Sequence, residues 1–167
     1  MRRRGWMWAG LLALFPGVSQ AAMFMLVEGV TGPSKMPNYV GWFIVDNASW
    51  SIDRAKVAEP HSLIVALRSS AGTAALIQLS ASGVPLKRIA LDHVSVAEGT
   101  ATLIMERLAC EDPIIRSSGV SADADDFAQV QLKIRCGRLA WENFDYNSQK
   151  KVAAAGKGSW NFKTNSP

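Results

Sequence analysis

The sequence predicts a mainly β protein with one short α-helix and a closed or sandwich-like arrangement of strands. About eight short runs rich in β-branched and aromatic residues follow one another between turn signals. One segment, 69–83, combines helix propensity with a start and a stop signal. Residues 127–136 alternate apolar and polar side chains, which is typical of a strand with one buried face. Because many short strands need covered edges, a closed β fold is expected.

Residues 1–21 have the three regions of a secretory signal peptide. Arginines at 2–4 precede an apolar run at 6–15, and Ala21 ends a small-residue cleavage pattern. The apolar run is too short for a membrane-spanning helix, which needs about 20 residues, and no later run is uniformly apolar over that length. We therefore expect cleavage after about Ala21 and a soluble single domain, 22–167, in the periplasm or secreted.

The charge of the chain argues against a nucleic-acid-binding protein. The 18 Lys and Arg residues exceed the 14 Asp and Glu residues, for a net charge of +4. Three of the cations lie in residues 2–4, so removal of 1–21 leaves 15 (18 minus 3) against 14, or +1. Clustered phosphate contacts need more cations than this. The pairs Lys87-Arg88 and Lys150-Lys151 are interpreted as solvated strand ends or loops.

The first half of the mature chain predicts several strands and then the helix. Strands are expected at 23–30 and 62–67. The region 39–53 is expected to form either two short strands, at 39–46 and 49–53, or one bent strand. A loop is expected at 54–60. For the helix, Ser69 or Ser70 is the predicted N-cap and Gly83 the C-terminal stop. Leu76 and Leu79 are expected to face the sheet.

The second half predicts further strands and an anchored terminus. Antiparallel strands are expected at 86–96 and 101–109, and further strands at 127–136 and 139–146. The stretch 150–158 is rich in small and basic residues, and Trp160 and Phe162 are expected to pin the terminus.

The two cysteines, Cys110 and Cys136, are expected to form a disulfide, because an exported pair usually bonds. If 101–111 and 126–138 form an antiparallel hairpin with its tip at 121–125, paired residue numbers add to about 246, and the two cysteines satisfy that sum. A reactive thiol or a metal site is the alternative. The paired spacings of zinc loops are absent from the sequence.

No catalytic or cofactor motif is present in the sequence. The two imidazoles, His61 and His93, have no Ser, Cys or acid at the spacing of a known nucleophile motif, and they are interpreted as structural or surface residues. A hydrolase built on either histidine is a minor alternative, because triads assemble in space.

Acidic and aromatic groups receive structural interpretations as well. A calcium site at Asp123, Asp125 and Asp126 would need a glycine and a distal glutamate that are missing, so a solvated hairpin tip is expected. Glu111-Asp112-Pro113 is interpreted as a turn or strand irregularity. Four tryptophans could line a ligand site but more often fill a core or an interface, namely Trp42, Trp50, Trp141 and Trp160.

A resemblance to a known family rests on the order and spacing of several segments. They are MFMLVEGVTGPS at 23–34, GWFI at 41–44 with Ser49-Trp50, the helix segment 69–83, the strand 127–135 with LAW at 139–141, and GSWN at 158–161. Over nearly all of 23–163 the chain resembles the Hcp family, the haemolysin-coregulated tube proteins of type VI secretion.

This resemblance implies a β-barrel of two sheets with one short α-helix packed at the side. It also implies a hexameric ring with a wide lumen, stacking of rings into a tube, possible effector partners, and no catalysis or cofactor. Two features depart from the family. Tube subunits are loaded from the cytoplasm and normally lack a signal peptide, although Met23 lies near the usual family start and is an alternative start site. The connection 54–60 is shorter and less glycine-rich than the family's inter-ring loop, which argues against stacking.

The leading hypothesis is an exported, ring-forming, non-catalytic Hcp-like protein of a Gram-negative bacterium, with no metal or cofactor. The alternative is a periplasmic or secreted binding module that does not form a tube. A pocket lined by Trp42 or Trp50 would favour that alternative.

Overall fold

The computed structural model describes residues 20–53, 61–96, 102–122 and 128–167, which form nine strands and one helix. The elements are β1 Gln20–Val27, β2 Phe43–Ile52, β3 His61–Arg68, α1 Ala71–Ser82, β4 Arg88–Val96, β5 Leu103–Glu111, β6 Ile114–Ser121, β7 Gln129–Arg135, β8 Arg138–Tyr146 and β9 Val152–Asn161. The mainly β fold with one short helix is confirmed. No helix in these ranges has the length and apolar character to cross a membrane.

The strands form one continuous antiparallel sheet in the order β6-β7-β3-β2-β1-β4-β5-β8-β9. The family resemblance implied two sheets, whereas here each ladder continues into the next. The sheet curls so that its inner face encloses one core, which contains Leu132 of β7 and Leu139 of β8 although these strands are second and eighth in the order. Strand twist permits this curling, and burial of the apolar face drives it.

The inner face is built by strands whose apolar residues recur with period two. Strand β3 alternates buried and half-buried residues from His61 to Leu67, and β7 alternates buried residues with exposed or half-buried ones between Val130 and Ile134. The side chains of Val65, Leu67, Val130, Leu132 and Ile134 are fully buried. The alternation predicted at 127–136 is therefore confirmed.

Strand β2 is one bent strand, which was one of the two alternatives at 39–53. Its register with β3 shifts between Val45 and Asn47, so a bulge bends the strand there. Tyr39 belongs to the turn that precedes β2 and not to a strand. The loop expected at 54–60 lies outside the described residues.

Helix α1 begins after the predicted N-cap residue, Ser70, and ends at the predicted stop, Gly83. The buried Ser70 hydroxyl has no hydrogen-bond partner in the described ranges, so the side chain of Thr73 holds this end in place of the expected serine oxygen. Thr73 Oγ1 accepts the Ser70 backbone N–H at 3.0 Å and donates to the Ser70 carbonyl at 2.7 Å. Gly83 adopts φ 64° and donates its N–H to the Leu79 carbonyl at 3.1 Å. Leu76 is fully buried and Leu79 packs partly against the core, as expected, and Thr73 is buried beside them.

The predicted hairpin between 101–111 and 126–138 is wrong. Strand β6, which the sequence analysis missed, lies between these segments in the chain and pairs with β7. Strand β5 pairs with β4 and β8 instead. Asp112, at φ 47°, turns the chain after β5, and the serines and glycine of β6 hide its strand character. The expected hairpin tip falls partly on 123–127, outside the described residues.

Strand β9 was also missed, because its alanines and glycines have low strand propensity. It forms through its ladder with β8, in which Trp160 lies opposite Leu139. The indole of Trp141 lies over Gly158, where an added Cβ would be 2.5 Å from the ring. Glycine at 158 therefore leaves room for the tryptophan of the neighbouring strand.

The loop between β1 and β2 folds against the outer face of the sheet. Gly32 donates to the Gly41 carbonyl at 2.7 Å, and the Tyr39 ring stacks on Phe24 of β1 at 4.4 Å. A Cβ at Gly32 would be 2.4 Å from the backbone of Trp42. The two arms of the loop thus approach too closely for any larger residue at position 32.

We expect Gly32→Ala to destabilise the protein by about 1–3 kcal/mol, since backbone cannot move aside as a flexible side chain can. Gly119→Ala on β6 is the matched control, because a Cβ there meets nothing within 4 Å. Chemical denaturation of both variants measures the difference. Equal stabilities would contradict the tight loop contact.

Candidate functional site

The structure joins Cys110 and Cys136 in a disulfide, with Cα atoms 5.3 Å apart. The two residues are not opposite each other in a hairpin. Cys110 of β5 lies opposite Ile89 of β4 and Leu139 of β8, and Cys136 follows β7. Because β7 is second and β5 seventh in the sheet, the bond ties two distant parts of the curled sheet together.

Backbone hydrogen bonds bring two turns and the C-terminus to the same place. Gly137 donates to the Glu111 carbonyl at 2.8 Å, and Phe162 donates to the Gly137 carbonyl at 2.9 Å. We call the group Cys110, Cys136, His61 and Phe162 the disulfide corner. It is the place where β3, β5, β7 and the end of β9 meet.

His61 is a structural member of the disulfide corner. Its side chain is buried, its Nε2 accepts the Cys136 N–H at 2.8 Å, and its ring stacks on Phe162 with a centroid distance of 3.4 Å. Burial lowers the pKa of His61, and the nearby charge of Arg135 lowers it further. The neutral imidazole therefore holds the corner, and Nδ1 carries its proton.

A cavity of about 240 Å³ opens beside the disulfide corner. Its lining is Asp112, Ile114, Arg135, Cys136, Gly137, Phe162 and Lys163. Lys163 Nζ pairs with Asp112 Oδ2 at 2.7 Å. Glu111-Asp112-Pro113 thus ends β5 and starts a turn, as expected, and Asp112 also anchors the C-terminal segment.

His93 lies half-buried on β4, opposite Met23 and Glu106, and away from the disulfide corner. The structure thus does not bring the two histidines together. Sequence reasoning missed the neighbouring Asp92, whose signal was a lone carboxylate inside the apolar run of β4.

Asp92 is buried at the centre of an ion-pair cluster. Arg107 donates to both of its carboxylate oxygens, at 2.9 and 3.0 Å, and the Tyr39 hydroxyl donates at 3.1 Å. The hydrogen bond with Asp92 raises the pKa of Arg107, while burial and the Asp92 carboxylate raise that of Tyr39. Both oxygens are occupied, so Asp92 fixes the β1–β2 loop to the sheet.

The tryptophans are engaged in packing. Trp50 and Trp141 lie with ring centroids 5.4 Å apart, and Trp50 Nε1 donates to Glu106 at 3.4 Å. Trp42 meets Tyr39 edge-on at 5.0 Å. The Trp50 and Trp141 rings thus meet between β2 and β8, which are not neighbours in the sheet, whereas Trp42 packs within the β1–β2 loop.

The remaining sequence candidates do not form a site within the described ranges. Lys87 pairs weakly with Glu28 at 3.7 Å, and Lys150 lies in the turn between β8 and β9. In the described ranges, no three His, Cys, Asp or Glu side chains are placed to hold a metal ion. The aspartates 123, 125 and 126 lie outside these ranges.

The two end strands of the sheet, β6 and β9, present backbone groups on one side. Asn161 of β9 exchanges two backbone hydrogen bonds with Ser166, at 2.7 and 3.2 Å, on the side away from β8. Because backbone groups of a strand point to alternate sides, Ala155 also directs its N–H away from β8. Val120 of β6 and Val152 of β9 are 61% and 54% exposed, so both end strands also carry exposed apolar side chains.

Comparison with solved structures shows a shared fold. Hcp1 from Salmonella typhimurium matches with a TM-score of 0.72 at 18% identity over 87% of this chain and 96% of that one. A type VI secretion system effector from Yersinia pestis matches at 0.69 and 13% identity over 83% and 98%. The secreted protein Hcp3 from Pseudomonas aeruginosa matches at 0.64 and 11% identity over 86% and 98%.

The chain therefore has the Hcp fold over most of its length. No protein-family model matches the sequence, and no curated protein matches it significantly.

The His61 geometry predicts a loss of stability in mild acid. Its pKa is lowered on folding, so the unfolded chain binds the proton more readily below about pH 6.5. The contribution of neutral His61 to the free energy of unfolding is complete above that pH. It falls as the pH decreases, by up to about 1.4 kcal/mol per pH unit for one proton. Urea unfolding between about pH 7 and pH 5 measures it.

His61→Gln should reduce this slope, since an amide oxygen can still accept the Cys136 N–H but does not titrate. His93→Gln should keep the wild-type slope, because His93 is half-buried and outside the disulfide corner. An unchanged slope in the His61 variant would show that other groups cause the acid sensitivity.

Proposed function

We propose that this chain is an exported Hcp-like protein that acts by assembling with copies of itself, is related to the type VI secretion tube and performs no catalysis. The observation that carries this proposal is the fold match to Hcp1, which covers 87% of this chain and 96% of the other. A match over most of both chains supports a relation of the whole unit and not of one motif.

The two ends of the sheet support self-assembly. Strands β6 and β9 differ in sequence and lie at opposite ends of the strand order. A contact between β9 of one copy and β6 of the next joins unlike surfaces, and repeated rotation by a fixed angle then closes a ring. Six subunits are the number that the family resemblance implies.

The roles of the polar side chains support a non-catalytic function. His61 holds a backbone N–H, Asp92 is saturated by Arg107 and Tyr39, and the cysteines are bonded to each other. His61 Nε2, the Asp92 carboxylate and both cysteine sulfurs are thus occupied by contacts that maintain the fold.

Export is supported by the disulfide and by the pattern of residues 1–21. A bond between buried cysteines persists in an oxidising compartment and not in the cytoplasm. Cleavage after Ala21 would retain Ala22 and the following residues of β1, where Ala22 lies opposite Val94 of β4. Most of the β1 ladder therefore survives cleavage.

The alternative function, a binding module, predicted a pocket lined by Trp42 or Trp50. Both indoles instead contact other side chains, Trp42 at Tyr39 and Trp50 at Trp141 and Glu106. Self-assembly is therefore the better supported function.

The exported product of the full gene should elute with about six times the subunit mass in size-exclusion chromatography with light scattering. Ala155→Pro should convert it to monomers, because proline removes an outward N–H while the β8 ladder is kept. Ala155→Thr keeps that N–H and should still assemble. A strictly monomeric wild type at high concentration would exclude the ring, and an assembled Ala155→Pro variant would exclude the β9 edge as its contact.

Mass spectrometry of the periplasmic fraction should give a chain that begins at Ala22. Ser19→Leu places a large residue at the third position before the cleaved bond, where a small one is needed, and should block cleavage. Gln20→Leu changes the second position, which tolerates large residues, and should leave cleavage unaffected. A product that begins at Met23 and stays in the cytoplasm would exclude export and leave the fold unaffected.

A further inference from the structure

One residue of the Cys110–Cys136 bond, Cys136, borders a cavity. Cys136 lines the cavity beside the disulfide corner, whereas Cys110 lies inside the sheet between β4 and β8 and is not part of the lining. Both residues are buried, at 1% and 2% exposure, and Cys136 is the one that borders this cavity. A small molecule in the cavity therefore lies beside Cys136.

The lining of the cavity combines apolar surface with one cation, Arg135, that has no ion-pair partner in the described part of the chain. Ile114 and Phe162 supply apolar surface, and Asp112 and Lys163 neutralise each other at 2.7 Å. In the described part of the chain, no carboxylate forms an ion pair with Arg135. A small molecule with a negative charge is therefore favoured over a neutral or positive one.

We propose that this cavity is a thiol-exchange site at which a small anionic thiol attacks Sγ of Cys136. The incoming thiolate forms a new S–S bond with Cys136, the bond to Cys110 breaks, and Cys110 leaves as a thiolate that takes a proton from solvent. A second molecule of the same thiol can then attack the mixed disulfide, which frees Cys136 and releases the oxidised thiol. The small thiol is the reductant in both steps.

The exchange would open the disulfide corner without removing its other contacts. The His61–Cys136 hydrogen bond, the His61–Phe162 stack and the Asp112–Lys163 ion pair do not depend on the covalent bond. The site therefore acts as a redox-sensitive latch between β5 and β7.

Two small thiols of opposite charge test the proposal on the exported protein. Oxidised protein is treated with 2-mercaptoethanesulfonate or with 2-aminoethanethiol, quenched with acid, alkylated and mapped by mass spectrometry. The adduct is expected on Cys136 and the alkyl group on Cys110. Arg135→Gln should lower the rate of reaction with the anionic thiol by about threefold to tenfold relative to the rate with the cationic thiol. This is the factor expected when one nearby, partly screened charge is removed.

Two further variants test whether the charge of the cavity lining determines the preference for the anionic thiol. Asp112→Asn frees the charge of Lys163 and should raise the anionic-to-cationic rate ratio, and asparagine tolerates the φ of 47° at that position. Lys133→Gln, on the same strand as Arg135 but outside the lining, should leave the ratio unchanged. An adduct mainly on Cys110, or a ratio that Arg135→Gln and Asp112→Asn do not move, would overturn the proposal.

Discussion

Closure of the sheet is the constraint on which the rest of the structure depends. The nine strands form one ladder with two ends, and no hydrogen bonds join β6 to β9 within the described ranges. The inner face is closed instead by side chains, because β7 and β8 contribute to the same core, and by the Cys110–Cys136 bond. Apolar burial supplies the driving force for this closure, and the disulfide fixes one place where it occurs.

Closure through side chains has a consequence for assembly. A barrel whose ladder closes on itself has no free backbone edge, whereas this sheet keeps two. The short C-terminal segment covers β9 at Asn161, since Ser166 pairs with it, and no backbone bond within the described ranges covers the edge nearer Ala155. Closure by side chains thus leaves the two ends of the ladder, β6 and β9, as the surfaces on which the proposed ring depends.

The sequence predicts those parts of the fold whose signals are local. Strand β7 alternates cleanly, and α1 has a Ser70 start and a Gly83 stop, so both were predicted correctly. Strands β6 and β9 are rich in serine, alanine and glycine, which have low strand propensity. They form because each pairs with a neighbouring strand, and a local sequence pattern does not indicate such pairing. The fold itself was predicted from the resemblance to the Hcp family. That resemblance rests on the order and spacing of several short segments, none of which is specific individually. The role of Asp92 depends on Arg107 and Tyr39, residues distant in sequence, and could not be predicted.

The disulfide shows how a correct pairing can follow from a wrong geometry. The hairpin argument placed Cys110 and Cys136 on adjacent strands, where a bond would only brace a local register. Cys110 lies on β5 and Cys136 directly follows β7, five positions away in the sheet. The two residues are 26 apart in sequence, and the chain-entropy model assigns about 3.5 kcal/mol to a loop of this length in either case. What differs is the part of the molecule that the bond restrains. Here it holds the two sides of the curled sheet together, so the oxidised state of the two cysteines helps to keep the sheet curled around its core.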